Sequence, residues 1–558
     1  MSPLAHRPFA GLTCLGDRAG PVPIGDVPEH AEQRSVAMPD GTRLATDVYL
    51  PAGRDGGSRR GRVPTVLVRL PYDKAGEHAW IPDVAARLVA EGYAVVAQDT
   101  RGKARSEGQL EAFVHEAADG HATLDWIVDQ PWSDGSVGMF GQSYFGYTQW
   151  AAASTGHPSL RCIVPQTTAS DIGAEWMYRD GVFQMQTMAE WAAWAWTDAR
   201  MMVHEIDWTA LPVSSLVERW TGARSQSFET WVRHGPTARL WRSLAPLQRS
   251  DCRLRAAVLS VTGLWDPFVR GQLRDVLRSC ERFPTVDVRA RLSATDHYGA
   301  AWAPPGAEPM DLEHDPALRE QALDTYLGPA PAWYAAWLRD DGVAVADEPV
   351  MYEVAGDGWR VCPSWPPDDG HVVELWLAAG GRLASAAGGS SRASIPYEPD
   401  DPVPTLDDNP WNTLLRPADR SPLLGRGDVL TFDSEPMRER TVVAGDVEMS
   451  LTASARGGAS TLHATLVDVW PDGTARRLTG GVARLGRAPR PVKVDLGPIA
   501  MSLDAGRVLR LELATSDFPR HPRAAGDASM LTSKTLSPGE VVVVMDDHSK
   551  LALPTLPE

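Results

Sequence analysis

Apolar and polar positions along this chain follow three different rhythms. In the first, short apolar runs alternate with helix-length segments. Val63–Leu70 (VPTVLVRL), Tyr93–Asp99, Val137–Phe140, Cys162–Pro165, Ala256–Val261 and Val286–Leu292 read as buried strands. Val84–Ala90 and Asp119–Val128 read as helices, the second with His121, Leu124, Asp125 and Val128 at helical spacings. Residues 35–51 (SVAMPDGTRLATDVYLP) alternate on both sides of a Pro-Asp-Gly turn, as a hairpin does. Apolar strands alternating with helices predict a parallel sheet covered on both faces, an α/β fold.

The second rhythm occupies residues 169–245. Trp176, Met177, Tyr178, Phe183, Met185, Met188, Trp191, Trp194 and Trp196 crowd one helical stretch and exceed what a single buried face needs. It reads either as a plain helical core or as a cap carrying an apolar pocket. The third rhythm begins at 349. Residues 384–393 (ASAAGGSSRA) have loop chemistry. Short alternating strands then follow at Val442–Leu451, Leu462–Val469, Arg477–Arg484, Val492–Leu496 and Val508–Thr515. Regular strands with Gly/Pro turns such as Pro471-Asp472-Gly473 predict a β-sandwich or jelly roll. The expected organisation is an α/β domain over 1–168 and 246–348, a helical cap over 169–245, and a sandwich over 349–558.

The candidate chemistry sits where Val137–Phe140 meets the next helix. Gly141-Gln142-Ser143-Tyr144-Phe145-Gly146 has the form of a nucleophile elbow, a strand-turn-helix with serine at its apex. Glycines at −2 and +3 let strand and helix pass closely, although Phe145 stands where the common form has its second glycine. A serine needs a base, and the base needs an orienting carboxylate. The strand ending at Val261 runs into Asp266, which suits either that acid or an ordinary loop carboxylate. The strand ending at Leu292 runs into His297, whereas His314, His371, His463, His521 and His548 lie in the linker region or the sandwich. Asp296 is a poorer orienter, because adjacent side chains seldom face each other. Oxyanion donors would be the Tyr144 backbone N–H and a group in the loop Pro71-Tyr72-Asp73-Lys74, where Tyr72 is either a donor or a packed aromatic.

Composition narrows the classes. The chain has 558 residues, enough for two or three domains, with 43% hydrophobic and 23% charged residues as in ordinary globular proteins. A net charge of −18 without a long basic run argues against a nucleic-acid partner. No apolar run approaches about 18 residues, so no membrane span is expected. Met1–Gly20 has no apolar core of a leader, so a cytoplasmic location is expected. Cys14, Cys162, Cys252, Cys280 and Cys362 are scattered, and neither a disulfide framework nor a zinc site is expected.

The motifs together resemble the cocaine-esterase-like hydrolases, a group that includes X-prolyl dipeptidyl peptidases and α-amino-acid ester hydrolases. The likeness runs from the 35–51 hairpin through PYDK (71–74), QDTRGKARSEG (98–108), PWSDGSVGMFGQSYFGYTQWAAA (131–153) and GLWDPF (263–268) to LVDVWPDG (466–473) and TSDFPRHP (515–522). G-x-S-Y-x-G is this family's elbow. The resemblance implies an α/β-hydrolase sheet with an inserted helical cap and a C-terminal jelly roll beside the mouth of the site. It implies a triad of Ser143, Asp266 and His297, with Tyr72 and the Tyr144 N–H as oxyanion hole. SATDHYG (293–299) departs from the Gly-Pro-Trp-type stretch usual before the family's histidine. Phe268 and Val269 stand where the amino-acid ester hydrolases carry carboxylates for a substrate ammonium, leaving the cap acid Glu175 as one member of such a cluster. With a lead of about 35 residues, the N-terminal helical domain of the dipeptidyl peptidases is not expected.

The expected activity is cleavage of an ester or amide of an apolar or aromatic carboxylic acid through an acyl-enzyme, without metal or cofactor. Trp176, Phe183, Trp191, Trp265 and Phe268 are the pocket candidates. The expected partner is a small ester, amide or short peptide, and sandwich edges would permit a symmetric dimer. The alternatives are an X-Pro dipeptidyl or aminoacyl peptidase, an acyltransferase of a biosynthetic pathway, and a binding protein with a defunct triad.

Overall fold

A computed structural model describes residues 20–21, 24–52, 61–76, 79–196, 201–202, 206–307, 316–339, 348–407, 409–526 and 530–557. Residues 1–19, including Cys14 and most of the stretch examined for a leader, lie outside the described residues.

Ten strands form the first sheet: β1 (Glu32–Ala37), β2 (Arg43–Tyr49), β3 (Val63–Leu70), β4 (Ala94–Asp99), β5 (Ser133–Gln142), β6 (Leu160–Gln166), β7 (Ala257–Gly263), β8 (Val288–Ser293), β9 (Val350–Val354) and β10 (Gly358–Cys362). Their spatial order is β10-β9-β8-β7-β6-β5-β3-β4-β2-β1. Strands β3 to β9 run parallel; β1, β2 and β10 are antiparallel additions at the two edges. Helices α1 (Ile81–Ala90), α2 (Glu116–Val128) and α3 (Ser143–Ala153) connect β3 through β6. Val66, Leu67, Val68, Val95 and Val96 are fully buried. Strands covered on both faces cannot alternate, hence the continuous apolar runs. The sheet extends past the expected boundary at 348/349, because β9 pairs with β8 and β10 folds back on β9.

Between β6 and β7 lie α4 (Met185–Ala195), α5 (Leu216–Thr221), α6 (Gln226–Arg233) and α7 (Arg239–Ser243). Their aromatics form one buried cluster with Phe113, Tyr144 and Tyr147 beneath them and with Trp411 and Phe518 of the C-terminal region. Helix α8 (Val269–Arg282) follows β7, and α9 (Pro316–Leu327) and α10 (Ala330–Leu338) follow β8.

The C-terminal region is strand-rich: β11 (His371–Ala378), β12 (Arg382–Ala384), β13 (Ser391–Tyr397), β14 (Val429–Asp433), β15 (Thr441–Gly457), β16 (Thr461–Val469), β17 (Ala475–Arg484), β18 (Arg490–Leu503), β19 (Val508–Ala514), β20 (Gly539–Met545) and β21 (Lys550–Leu556). They pair in the order β13-β20-β15-β21-β11-β12-β14-β19-β16-β17, with β18 on β15. The β15/β18 ladder shifts register at Val447/Glu448, a bulge that bends a strand of 17 residues. Arg382–Ala384 and Ser391–Tyr397 are strands at the two ends of a segment whose composition reads as loop. No helix among the described residues is long and apolar enough to cross a membrane.

Candidate active site

Strand β5 ends at Gln142 and α3 begins at Ser143. Ser143 adopts φ 55, a left-handed conformation that costs a non-glycine residue about 1–2 kcal/mol. Strain of this kind persists only where the surroundings impose it. The turn is tight on both sides of the serine. A Cβ on Gly141 would lie 2.0 Å from Cδ2 of Phe145, and one on Gly146 would lie 2.6 Å from Cγ2 of Thr168. Phe145 therefore occupies the +2 place by folding its ring over Gly141.

Tyr144, next after the serine, turns its side chain away from the cavity. Its hydroxyl donates to Glu116 Oε1 (2.8 Å) and accepts from the Phe113 N–H (2.7 Å). Glu116 is in turn paired with buried Arg69 at 2.9 Å. Burial pushes the Glu116 carboxyl up, and Arg69 opposes the rise. The network pins the backbone on which the Tyr144 N–H sits.

Strand β3 is the parallel neighbour of β5, with Leu67 opposite Met139, so the loop after β3 reaches the elbow. Lys74 anchors that loop: its Nζ lies 2.9 Å from Asp99 and 3.6 Å from Asp47, all three side chains fully buried. Burial raises the Asp99 carboxyl to about 6, against the pull of Lys74. The anchored loop presents Tyr72, whose ring stacks on Trp194 at 4.9 Å. The Tyr72 hydroxyl accepts a hydrogen bond from Trp191 Nε1 (3.0 Å) and neighbours the Ser143 side chain. Burial pushes this phenol well above its ordinary value, so it stays protonated.

Asp266 follows β7 and His297 follows β8, two strands in register at Gly263 and Ser293. His297 Nδ1 lies 2.5 Å from Asp266 Oδ2, while Asp266 Oδ1 accepts the Phe268 N–H at 2.6 Å. Asp296 serves the loop backbone. Its Oδ1 accepts from the N–H groups of Tyr298 (3.2 Å) and Ala300 (3.0 Å), and its Oδ2 accepts from Leu414 N–H (3.0 Å). Burial raises this carboxyl to about 7 despite those bonds. The C-terminal region touches His297 directly. The Trp411 backbone C=O accepts the backbone N–H of His297 at 3.2 Å, and the two side-chain rings lie 4.8 Å apart.

Ser143, His297 and Tyr72 line one cavity of about 20 Å³, with Trp191, Trp194, Phe145 and Trp411 among its walls. A chamber of about 120 Å³ adjoins it across Ala79, Gln142, His297 and Tyr298. Of the five aromatics expected to line a pocket, Trp191 does so at Ser143. Trp176 and Phe268 stack on each other at 4.3 Å, and Phe183 is 1% exposed in the same core. They are held in packing, with Phe268 edge-on to His297 at 5.7 Å. Trp265 lines a separate cavity of about 100 Å³ where sheet, cap and sandwich meet. Glu175 is not free for a cation: Arg274 lies 2.6 Å and Arg270 3.8 Å from its oxygens. Trp411 and Asp296 carry no periodic signal in the sequence. Asn409-Pro410-Trp411-Asn412 reads only as a turn.

Two groups, His121/Asp125/His157 and His463/Asp517/His521, each bring their donor atoms within 4.8 Å of one another, as a divalent metal requires. Neither lines the cavity at Ser143. The second faces Arg520 and Arg477, 3.3 and 3.5 Å from the Asp517 carboxylate, and two guanidinium charges oppose a cation there.

Residues 40–299 match the family model described as X-Pro dipeptidyl-peptidase (S15 family), and residues 341–546 match that of the X-Pro dipeptidyl-peptidase C-terminal non-catalytic domain. A cocaine esterase of Rhodococcus sp. (strain MB1 Bresler) is 29% identical over 568 aligned positions, which cover 90% of this chain and 93% of that protein. A solved α-amino acid ester hydrolase superposes with a TM-score of 0.77 at 22% identity, covering 94% of this chain and 96% of its own. An aminopeptidase from a marine sediment Thaumarchaeota archaeon does so with a TM-score of 0.77 at 19% identity, covering 97% and 99%. At those identities the structural likeness is one of fold. With both family models matched in order along an α/β-hydrolase sheet and a C-terminal β-sandwich, the chain belongs to the serine-hydrolase family of X-Pro dipeptidyl-peptidase and cocaine-esterase type.

Proposed function

We propose that the chain hydrolyses carboxylic esters through a serine-bound acyl intermediate, with Ser143 as nucleophile, His297 as base and Asp266 as its orienting acid. The observation that carries this reading is the 2.5 Å contact of His297 Nδ1 with Asp266, made beside a strained serine in the same cavity. The contact fixes the imidazole tautomer and leaves Nε2 to take the serine proton. Hydrogen bonds between such groups commonly tighten only when substrate arrives. Attack of Oγ on the carbonyl gives a tetrahedral oxyanion, which the Tyr72 hydroxyl and the Tyr144 N–H would hold. The imidazolium then gives its proton to the departing alcohol oxygen. Water, deprotonated by the same imidazole, attacks the acyl-enzyme and frees the acid and the serine.

Esters are favoured over peptides by the absence of a spare carboxylate. Among the described residues lining the two chambers the only acid is Asp296, already bonded to three N–H groups. A peptide amino terminus would find no free counter-charge among these residues. The test is Ser143→Ala assayed on p-nitrophenyl acetate. Turnover should fall by roughly 10³- to 10⁶-fold, and a fluorophosphonate should label the native protein but not the variant. A correctly folded variant with retained turnover would overturn the mechanism. Faster cleavage of a Xaa-Pro anilide than of acyl esters would overturn the ester preference.

A further inference from the structure

We propose that the chamber beside His297 is the alcohol subsite, and that it takes a bulky, uncharged alcohol bearing hydroxyl or carbonyl groups, while the acyl part of the ester is short. The inference rests on the reading of Ser143 and His297 above and adds the substrate class.

The cavity at Ser143 is the smaller of the two, about 20 against about 120 Å³. The smaller holds the serine and the Tyr72 hydroxyl, so it receives the carbonyl and the acyl group. The indoles of Trp191, Trp194 and Trp411 wall it, which leaves room for a short acyl group. The larger shares His297 with it but contains neither Ser143 nor Tyr72. The alcohol oxygen must leave next to the imidazole that protonates it, so the alcohol extends into the larger chamber.

That chamber lies at the C-terminal ends of β5 to β8, closed by α9, where open α/β sheets bind their ligands. Three of its hydroxyls, those of Thr167, Thr262 and Tyr326, are buried without any hydrogen-bond partner. Buried polar groups are ordinarily satisfied, so three orphans among the residues of one chamber mark a place where a polar ligand supplies the partners. Thr167 is also held at φ 38, a left-handed conformation that is an outlier for a β-branched residue, and strain of that kind collects at ligand sites. Among the described residues the lining offers no guanidinium or ammonium, and its single carboxylate, Asp296, is engaged by backbone. The ligand it fits is therefore neutral and hydrogen-bonding.

The test uses the purified full chain and two acetates of equal shape, 2,3-dihydroxypropyl acetate and 2-methylbutyl acetate. A site built to bond hydroxyls rejects the analogue that lacks them, so kcat/KM should favour the diol ester by about tenfold or more. The isosteric double variant Thr262→Val/Tyr326→Phe should bring that ratio to about one. Along p-nitrophenyl acetate, butyrate and octanoate, kcat/KM should fall at least about tenfold. Equal turnover of the two acetates by the native protein would make the chamber a water-filled void and overturn the alcohol assignment without recourse to a variant. Octanoate handled as well as acetate would overturn the acyl assignment. Fluorophosphonate labelling of Ser143 is read in parallel. Labelling without selectivity sinks this inference alone, whereas no labelling sinks the reading beneath it.

Discussion

The serine side and the histidine side of this site are built differently. Ser143 and its neighbours come from one contiguous turn and one adjoining loop, and they are walled by tightly packed indoles. His297 sits on a loop held from outside, by Trp411 and by the Asp296 bond to Leu414, both in the C-terminal region. The serine side is placed by its own strand, turn and helix. The histidine side is rigid only as long as the sandwich stays docked. The placement of Ser143 is thus a local property of this chain, and the placement of His297 depends on the docked C-terminal region.

The sharpest way to probe the serine side is Tyr72→Phe. If the phenol holds the oxyanion, kcat should fall on the order of 10²-fold or more with little change in KM. A loss confined to KM would mean that Tyr72 only lines the cavity. On the histidine side, Asp296→Ala leaves three backbone N–H groups without their acceptor and frees the loop from Leu414. We expect kcat to drop by roughly 10- to 100-fold, since small misplacements of a reacting group cost about that much, with KM nearly unchanged. Native kinetics in this variant would show that Trp411 alone suffices and would erase the contrast between the sides.

The smallest effect concerns stability. Glu190, in the cap helix α4, is 1% exposed, and one of its oxygens has no hydrogen-bond partner. Burial raises its carboxyl to about 8, with a slight opposing pull from Gln186. The folded chain then keeps a proton that the unfolded chain releases near the ordinary value of 4.5. Between those values the native state binds more protons, so this group makes stability fall as pH rises. Glu190→Gln should remove that slope, with melting temperatures near the native ones at pH 5 and higher ones at pH 8. A gain equal at both pH values would refute the assignment.

The sequence makes the elbow legible because every residue it needs is contiguous, from Gly141 to Gly146. Asp266 and His297 are legible for a related reason: each follows a recognisable apolar strand, and parallel register brings the two strand ends together. Trp411, Thr262 and Tyr326 are not legible. They come from a turn, a strand end and a helix far apart in the chain, and nothing periodic marks them. The aromatic wealth of 169–245 reports burial, and burial alone does not separate Trp191, which lines the cavity, from Trp176, which packs behind it. Likewise β9 and β10 alternate like sandwich strands, and only their pairing with β8 assigns them to the first sheet.

The grip of residues 409–414 on the histidine loop bears on anyone hoping to miniaturise this catalyst. Cutting the gene after β10 would spare the whole parallel sheet and the elbow, yet would leave the imidazole without its clamp. The two halves are better regarded as fragments for complementation, where regained turnover would report their reunion.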